Sequence, residues 1–262
     1  MKRSLKYISV LVSLLFASSC ATTGGFNLVP PQEEIRLGQQ LSQEIEREQP
    51  VLDNPVLQDY ISDIGNRIAS KTEKPDLPYT FKIIESDEVN AFALPGGPVY
   101  VNTGLLKYAD NEAELASVLA HEIGHITARH ATEQLTTSVG AQILTQILLG
   151  ENPAAATALA TNIATSLGML KFSRNDELEA DRLGVRYMFE AGYNPTAMVD
   201  FHRKLAAMRE SNPSRVMSWF STHPMSEDRV DTVAREIAKL PPGRPVQYYP
   251  ERYTAILERE LR

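Results

Sequence analysis

The motif His121-Glu122-Ile123-Gly124-His125 is the feature that most constrains how this chain folds. Residues four apart on an α-helix lie about 400° apart around its axis, so a helical segment presents both imidazoles on one face. Two neutral imidazoles on one face can bind the same Zn²⁺ ion. Glu122 is adjacent to the first histidine, where its carboxylate can take a proton from a water that zinc acidifies. The motif therefore predicts a helix that carries a hydrolytic site with one Zn²⁺ per chain.

A third protein ligand is needed, and the sequence offers two alternatives. On a continuous helix His130 lies about 900° from His121, on the opposite side, so we expect a polar or capping role for it. Glu177 and Asp181 are four apart and share a helix face. One carboxylate can bind the metal while the other orients a ligand imidazole. A solvated acidic face paired with nearby arginines explains the same spacing, which does not choose between the two interpretations.

Helical spacing of apolar residues dominates from about residue 31 onward. It predicts helices at 33–48, 55–69, 111–131, 133–149, 154–170, 176–191, 195–209 and 226–239. Strand-like stretches lie between the second and third helices, at 79–84, 89–94 and 99–101. The turn Pro95-Gly96-Gly97-Pro98 predicts a hairpin between the last two. We therefore expect a predominantly helical α+β fold with a small β-sheet or hairpin. His202 falls within an amphipathic helical pattern, and we expect a structural role for it.

The first 19 residues have the layout of a secretory signal peptide, with a basic start, an apolar run at 7–16 and small residues before Cys20. Cys20 is the only cysteine, which excludes a disulfide within the chain. Its context resembles a bacterial lipobox, although Ala17 stands where leucine is usual. The resemblance implies lipid attachment at Cys20; ordinary secretion with an unpaired thiol is the alternative.

The sequence after residue 19 predicts two further parts. We expect residues 20–30 to be the lipidated cysteine with a flexible tether, and residues 31–262 to form a single domain. Ala21 rather than aspartate follows the cysteine, which resembles lipoproteins sorted to the outer membrane of the bacterial cell envelope. We therefore expect the domain at the periplasmic face, held to the membrane by its N-terminal lipid. The formal net charge of -7 at pH 7 argues against nucleic acid as a partner.

Three further blocks accompany the motif: SRNDELEAD at 173–181, NAFALPGG at 90–97, and STHP at 221–224 with Arg229 behind it. Together these blocks resemble the gluzincin zinc metallopeptidase family of the CAAX prenyl endopeptidase, HtpX and the Oma-type proteases. Within it, the chain resembles most closely the periplasmic BepA/LoiP-like lipoprotein branch. The resemblance covers about residues 31–240 and implies a zincin-type fold, in which the small sheet lies beside the motif helix.

Carried over to this sequence, the resemblance implies that His121, His125 and Glu177 hold zinc and that Glu122 is the general base. Asp181 matches a family carboxylate that contacts the site, and we interpret it as the residue that orients a ligand imidazole.

Two assignments, those of His223 and of segment 139–172, stay open between alternatives, and the resemblance implies a third. His223 matches a family histidine near the metal and is an oxyanion stabiliser, a fourth zinc ligand that holds the enzyme latent, or a structural loop residue. The strand Asn90-Ala91-Phe92-Ala93 resembles the edge strand along which gluzincins bind extended peptide. The apolar segment 139–172 is either a buried helical pair or a mobile lid that covers the cleft or touches membrane.

The combined prediction is a zinc-dependent endopeptidase that hydrolyses peptide bonds with a metal-activated water. By family resemblance, its substrates are unfolded or misassembled cell-envelope proteins. The alternative is a zinc-containing periplasmic binding or chaperone module with little or no turnover. Glu122 favours the enzyme, because a structural zinc site is normally closed by four protein ligands and has no use for a base.

Overall fold

A computed structural model describes residue 27 and residues 29–164, 171–224 and 227–261. The predicted signal peptide, Cys20 and most of the predicted tether lie outside the described residues. So do residues 165–170 of the apolar segment.

Helices make up most of the described chain. Their bounds are α1 Pro31–Glu48, α2 Pro55–Ala69, α3 Thr103–Tyr108, α4 Glu112–Ala128, α5 His130–Ser138, α6 Ala141–Leu148, α7 Pro153–Ala164, α8 Arg174–Glu190, α9 Thr196–Ser211, α10 Met217–Thr222, α11 Glu227–Ala238 and α12 Pro250–Glu260. A 3₁₀ turn, Pro213–Val216, joins α9 to α10. Helix α2 has the predicted bounds because its start is locally encoded: the Asn54 side chain accepts from the Leu57 amide and Pro55 opens the first turn.

The sheet has three strands, β1 (Thr80–Ile84), β2 (Ala91–Ala93) and β3 (Pro98–Asn102), in the order β1-β3-β2. Strands β2 and β3 form the predicted antiparallel hairpin, and β1 pairs with β3 in parallel. The hairpin turn requires Gly97, whose φ is 142° and whose added Cβ would lie 2.6 Å from the Pro78 carbonyl oxygen. Because α4 packs against β2, the sheet lies beside the motif helix. The predicted fold class is confirmed.

Buried apolar side chains form two clusters. The main core joins α2, the sheet, α4, α8 and α9, with members such as Ile64, Leu119, Ile123, Val185 and Trp219. The second core lies under α1, α6 and α7, with members such as Leu41, Leu144, Leu159, Ala160 and Phe172.

The apolar segment is a helix pair as far as it is described. Helix α7 packs on α1, and Leu144 and Leu159 are buried, whereas Ile143 and Leu149 are exposed. Movement of this segment as a lid, or its contact with a membrane, stays a prediction. Across the described ranges, every helix falls short of the length and apolar character needed to cross a bilayer.

Two predicted helices are wrong in their continuity. The predicted helix 111–131 ends at Ala128, because Arg129 adopts the left-handed conformation with φ 65°. The Arg129 guanidinium donates to Glu34 at 2.6 Å and to the Val29 carbonyl oxygen, and these contacts offset the roughly 1–2 kcal/mol that left-handed backbone costs. The predicted helix 133–149 is divided at Gly140, whose φ is 83°.

Three helices, α3, α10 and α12, have no counterpart among the predictions. Helix α12 has a strongly charged sequence, yet Tyr253 is buried and donates to the Leu106 carbonyl oxygen at 2.7 Å. A distant contact therefore fixes this helix.

Candidate metal centre

Helix α4 carries the motif through the interior of the protein. Asn111 caps its start by accepting from the Glu114 amide at 3.0 Å. His121, Glu122 and His125 are at most 2% exposed. A Cβ at Gly124 would lie 2.9 Å from the Ala180 carbonyl oxygen, so glycine allows α8 to approach closely at this point.

Helix α8 brings the acidic block onto the motif. A capping box starts the helix: the Ser173 hydroxyl accepts from the Asp176 amide at 3.2 Å, and the Asp176 carboxylate accepts from the Ser173 amide at 2.8 Å. One turn later, Glu177 and Asp181 lie on the face toward α4, and both are fully buried.

The two imidazoles and Glu177 form a compact donor set. His121 Nε2 and His125 Nε2 are 3.0 Å apart. Glu177 Oε2 lies 3.5 Å from His121 Nε2, and Oε1 lies 3.3 Å from His125 Nε2. Tetrahedral zinc with bonds of 2.0–2.1 Å separates its ligand atoms by about 3.3–3.4 Å. In both chemistry and spacing, these donors fit Zn²⁺.

The electrostatics of the donor set favour a cation. Burial alone lowers the pKa of His121, but the Glu177 and Asp181 carboxylates outweigh it and raise that pKa to about 9. The same carboxylates attract a metal ion. Burial lowers the pKa of His125 well below its usual value, which keeps this imidazole neutral with a free lone pair.

Asp181 lies behind His121, with its Oδ1 2.9 Å from His121 Nδ1. This contact directs Nε2 of His121 toward the donor set, which is the geometry expected of an orienting carboxylate. Asp181 Oδ1 also lies 3.3 Å from His202 Nε2. His202, treated as merely structural in the sequence analysis, therefore contacts the carboxylate behind the site.

Glu122 lies beside the donor set and is fully buried. Its Oε1 is 3.5 Å from His223 Nε2, and burial raises its pKa above the ordinary value. A carboxylate with a raised pKa is a better proton acceptor near neutral pH.

His223, at the end of α10, joins the donor set. Its Nδ1 lies 2.9 Å from Glu177 Oε1 and 3.4 Å from His121 Nε2. One donor atom from each of His121, His125, Glu177 and His223 lies within 4.8 Å of all the others. At this position His223 can act either as a ligand or as a hydrogen-bond donor.

Comparison with known proteins identifies the family. The sequence profile of Peptidase family M48 matches residues 55–237, which contain the whole donor set. The chain belongs to peptidase family M48. The family predicted from the motif blocks is thereby confirmed.

Relatives of this M48 chain include a bacterial protease and mitochondrial metalloendopeptidases of eukaryotes. The Beta-barrel assembly-enhancing protease of Escherichia coli K12 is 34% identical over 209 residues, covering 76% of this chain and 42% of that protein. The mitochondrial metalloendopeptidase OMA1 of Schizosaccharomyces pombe is 31% identical over 172 residues, covering 65% of this chain and 50% of that protein. OMA1 of Arabidopsis thaliana is 30% identical over 189 residues, covering 72% and 38%. The chain thus spans half or less of the length of these relatives.

The M48 chain places Asn90-Ala91-Phe92-Ala93 at the sheet edge nearest the motif. In the described sheet, β2 is an edge strand that pairs with β3, and it also packs against α4. The Ala93 backbone N–H lies close enough to Glu122 to lower the pKa of its carboxylate, although burial outweighs this effect.

Arg229 on α11 has a role that the sequence analysis did not assign. It is fully buried, and its Nε and Nη2 each donate to Asp181 at 2.8 Å. Its Nη1 lies 2.7 Å from Glu177 Oε2. Burial raises the pKa of Asp181, but the Arg229 charge outweighs it and holds this pKa well below the usual range. Spacing could have revealed it: Arg229 shares a helix face with the buried Val233, and a buried arginine needs a partner.

His130 lies elsewhere than predicted. The opposite-side prediction assumed a continuous helix and is wrong, because the left-handed Arg129 turns the chain between α4 and α5. The His130 Nδ1 lies 2.9 Å from His125 Nδ1, on the far side of that ring from the donor set. The Phe172 ring stacks on His125 with a centroid distance of 3.9 Å.

Proposed function

We propose that the chain is a zinc-dependent endopeptidase. The observation that carries this proposal is the buried donor set of His121, His125 and Glu177 with the buried carboxylate of Glu122 beside it. A structural zinc site has no use for such a carboxylate. The metalloendopeptidase names of the OMA1 relatives support the same activity.

In this proposal His121, His125 and Glu177 hold one Zn²⁺, and Asp181 orients His121. When bound, zinc supplies Lewis-acid chemistry and lowers the pKa of a coordinated water to about 7. Glu122 accepts the proton of the attacking water and returns it to the leaving amine. Its raised pKa suits both steps.

The substrate backbone pairs with β2, the edge strand of the sheet that contacts the motif helix. Pairing through main-chain hydrogen bonds requires an extended segment and gives little sequence preference. This favours unfolded polypeptide over compact domains. Cleavage of a folded protein at the same rate as its unfolded form would contradict this part of the proposal.

We place the enzyme at the periplasmic face of the bacterial outer membrane, where it degrades unfolded or misassembled envelope proteins. The support is the lipobox-like context of Cys20 and the similarity to a relative named for β-barrel assembly. Cys20→Ser in the full chain should move the protein from the membrane fraction to the soluble periplasmic fraction. Retention in the membrane fraction would refute the lipid anchor.

The role of His223 is tested by His223→Ala. A fourth ligand that holds the enzyme latent predicts higher activity in this variant. An oxyanion donor predicts a lower kcat with zinc content unchanged. A structural residue predicts a lower unfolding midpoint and nothing specific to turnover.

The deciding experiment compares the mature chain with Glu122→Gln. Casein cleavage and zinc content are measured for both, with Glu88→Gln, an exposed glutamate, as the matched control. We expect Glu122→Gln to keep its zinc and lose cleavage. Equal cleavage by both proteins refutes the mechanism. Absence of cleavage by the wild type, with zinc bound, would favour a binding module instead.

A further inference from the structure

The Nδ1 of His125, which points away from the donor set, needs a hydrogen-bond acceptor. The nitrogen that faces the donor set is Nε2, which lies 3.0 Å from His121 Nε2 and 3.3 Å from Glu177 Oε1. A neutral imidazole that binds metal through Nε2 carries its proton on Nδ1. This N–H must donate to a neighbour, because His125 is 1% exposed.

The neighbour is a second imidazole. His130 Nδ1 lies 2.9 Å from His125 Nδ1, which is hydrogen-bond distance for ring nitrogens. It can accept only if His130 is neutral and carries its proton on Nε2. The His130 Nε2 faces two carboxylates of α8, at 3.6 Å from Glu179 Oε2 and 4.0 Å from Asp176 Oδ1. The negative charge of these carboxylates favours the His130 tautomer with its proton on Nε2, which leaves Nδ1 free to accept from His125.

The backbone is built to make this contact. His130 reaches His125 because α4 stops at the left-handed Arg129, and that conformation is held by Glu34 of α1. A helix that continued through Arg129 would turn His130 to the opposite side. His130 itself is 4% exposed, so the imidazole is held in place by its packing.

We propose that His130 is a positioning residue, which fixes His125 in its metal-binding tautomer by accepting a hydrogen bond from His125 Nδ1, with the α8 carboxylates near its own Nε2. The proposal rests on the zinc site of the proposed function. It gives His125 the support that Asp181 gives His121, from a different element and with a different chemical group.

The test uses three variants of the full mature chain: His130→Asn, His130→Gln and His130→Leu. The amide oxygen of asparagine can occupy the position of the imidazole Nδ1, whereas glutamine carries its oxygen one bond farther out and leucine has no acceptor. Zinc affinity is measured by competition with a chromophoric chelator. We expect the leucine and glutamine variants to bind zinc about 10–100-fold more weakly and asparagine to stay near the wild type.

A general packing defect would give a different pattern. It would lower the unfolding midpoint of the metal-free proteins and would not separate asparagine from glutamine. If the leucine variant does not fold, the asparagine and glutamine pair decides. Unchanged affinity in the glutamine variant, or an equal loss in the asparagine variant, overturns the proposal. Proteolysis is not part of the readout, so these outcomes leave the proposed function standing; a wild type that binds no zinc overturns both.

Discussion

The two histidines of the motif are supported in opposite ways. Behind His121 lies the charged carboxylate of Asp181, which is ion-paired to Arg229, and all of these groups are buried. Behind His125 lies the imidazole of His130, whose Nε2 is 3.6 Å from the carboxylate of the half-exposed Glu179. The imidazole of His121 is thus oriented by an ion network, and that of His125 by a second imidazole.

Charge balance explains why the two sides differ. The buried carboxylates at the centre are Glu122, Glu177 and Asp181, and Arg229 is the buried guanidinium that faces them. A divalent cation in the proposed site would balance the two remaining negative charges. A further buried carboxylate behind His125 would leave an excess negative charge in a low-dielectric interior, which is costly. An imidazole orients the second ligand without adding charge.

The largest expected effect follows from breaking the charged side. Arg229→Leu leaves Asp181 and Glu177 buried without their guanidinium, so we expect a loss of about 3–5 kcal/mol in the free energy of unfolding. Arg229→Lys should recover part of it, since an ammonium cannot form the two-pronged contact with Asp181. Urea denaturation measures both, with Arg235→Leu on the exposed face of α11 as the control. An Arg229→Leu protein as stable as the control would remove the charged half of the comparison.

A smaller effect is expected from separating α4, which carries the two histidines of the motif, from α8, which carries Glu177 and Asp181. In Gly124→Ala, the new methyl group would meet the Ala180 carbonyl oxygen at 2.9 Å and push α8 away from α4. We expect about 1–3 kcal/mol of destabilisation and weaker zinc binding, measured by thermal unfolding and chelator competition.

Gly184→Ala is the matched contrast, because its closest contact is the flexible Met198 methyl at 2.8 Å. Gly184→Ala should lose less stability and less zinc affinity than Gly124→Ala. The reverse order would show that the approach of α8 is not limited at Gly124.

The side behind His125 should respond more weakly to loss of packing. Phe172→Leu removes the ring that stacks on His125 and keeps most of the apolar volume. We expect a loss of about 0.5–1.5 kcal/mol, the usual worth of an aromatic pair beyond its area. Thermal unfolding measures it, with the partly exposed Phe220→Leu as control. A loss larger than that of Arg229→Leu would invert the comparison.

The smallest effect concerns an ion pair far from the centre. Burial raises the pKa of Glu46, but hydrogen bonds from Lys82, Tyr100 and Ser42 outweigh it and lower this pKa below 4.5. Because the pKa is lower in the folded state, the stabilisation is present above pH 4.5 and is lost as the pH falls through the folded value.

Glu46→Gln should therefore lose less than about 1 kcal/mol at pH 7, and the difference from wild type should shrink in acid. Urea titrations at several pH values test this, with the exposed Glu48→Gln as control. A difference that grows in acid would contradict the assigned sign.

Sequence reasoning succeeded where the signal is local. The bounds of α2 follow from Asn54 and Pro55, and the positions of His121 and His125 on one face follow from their spacing. Glu177 was different: spacing left it open, and the family blocks singled it out.

Predictions failed where a distant contact decides. The break at Arg129 depends on Glu34, which is 95 residues away in the chain. The burial of Arg229 depends on Asp181, 48 residues away, and α12 depends on the contact of Tyr253 with Leu106, 147 residues away. Local periodicity can indicate that Arg229 is buried, but it does not identify the partner in any of these contacts, since each contact is created by packing.

The donor set also has a thermodynamic consequence. His223 is 102 residues from His121 and 46 from Glu177, so only the folded chain gathers these atoms. An ion that binds the native state alone stabilises it by about 2.7 kcal/mol when free zinc is a hundredfold above its dissociation constant. Metal occupancy and fold then rise and fall together. Unfolding of a damaged copy therefore removes the metal site and exposes the backbone in one step. The unfolded copy then resembles the proposed substrate.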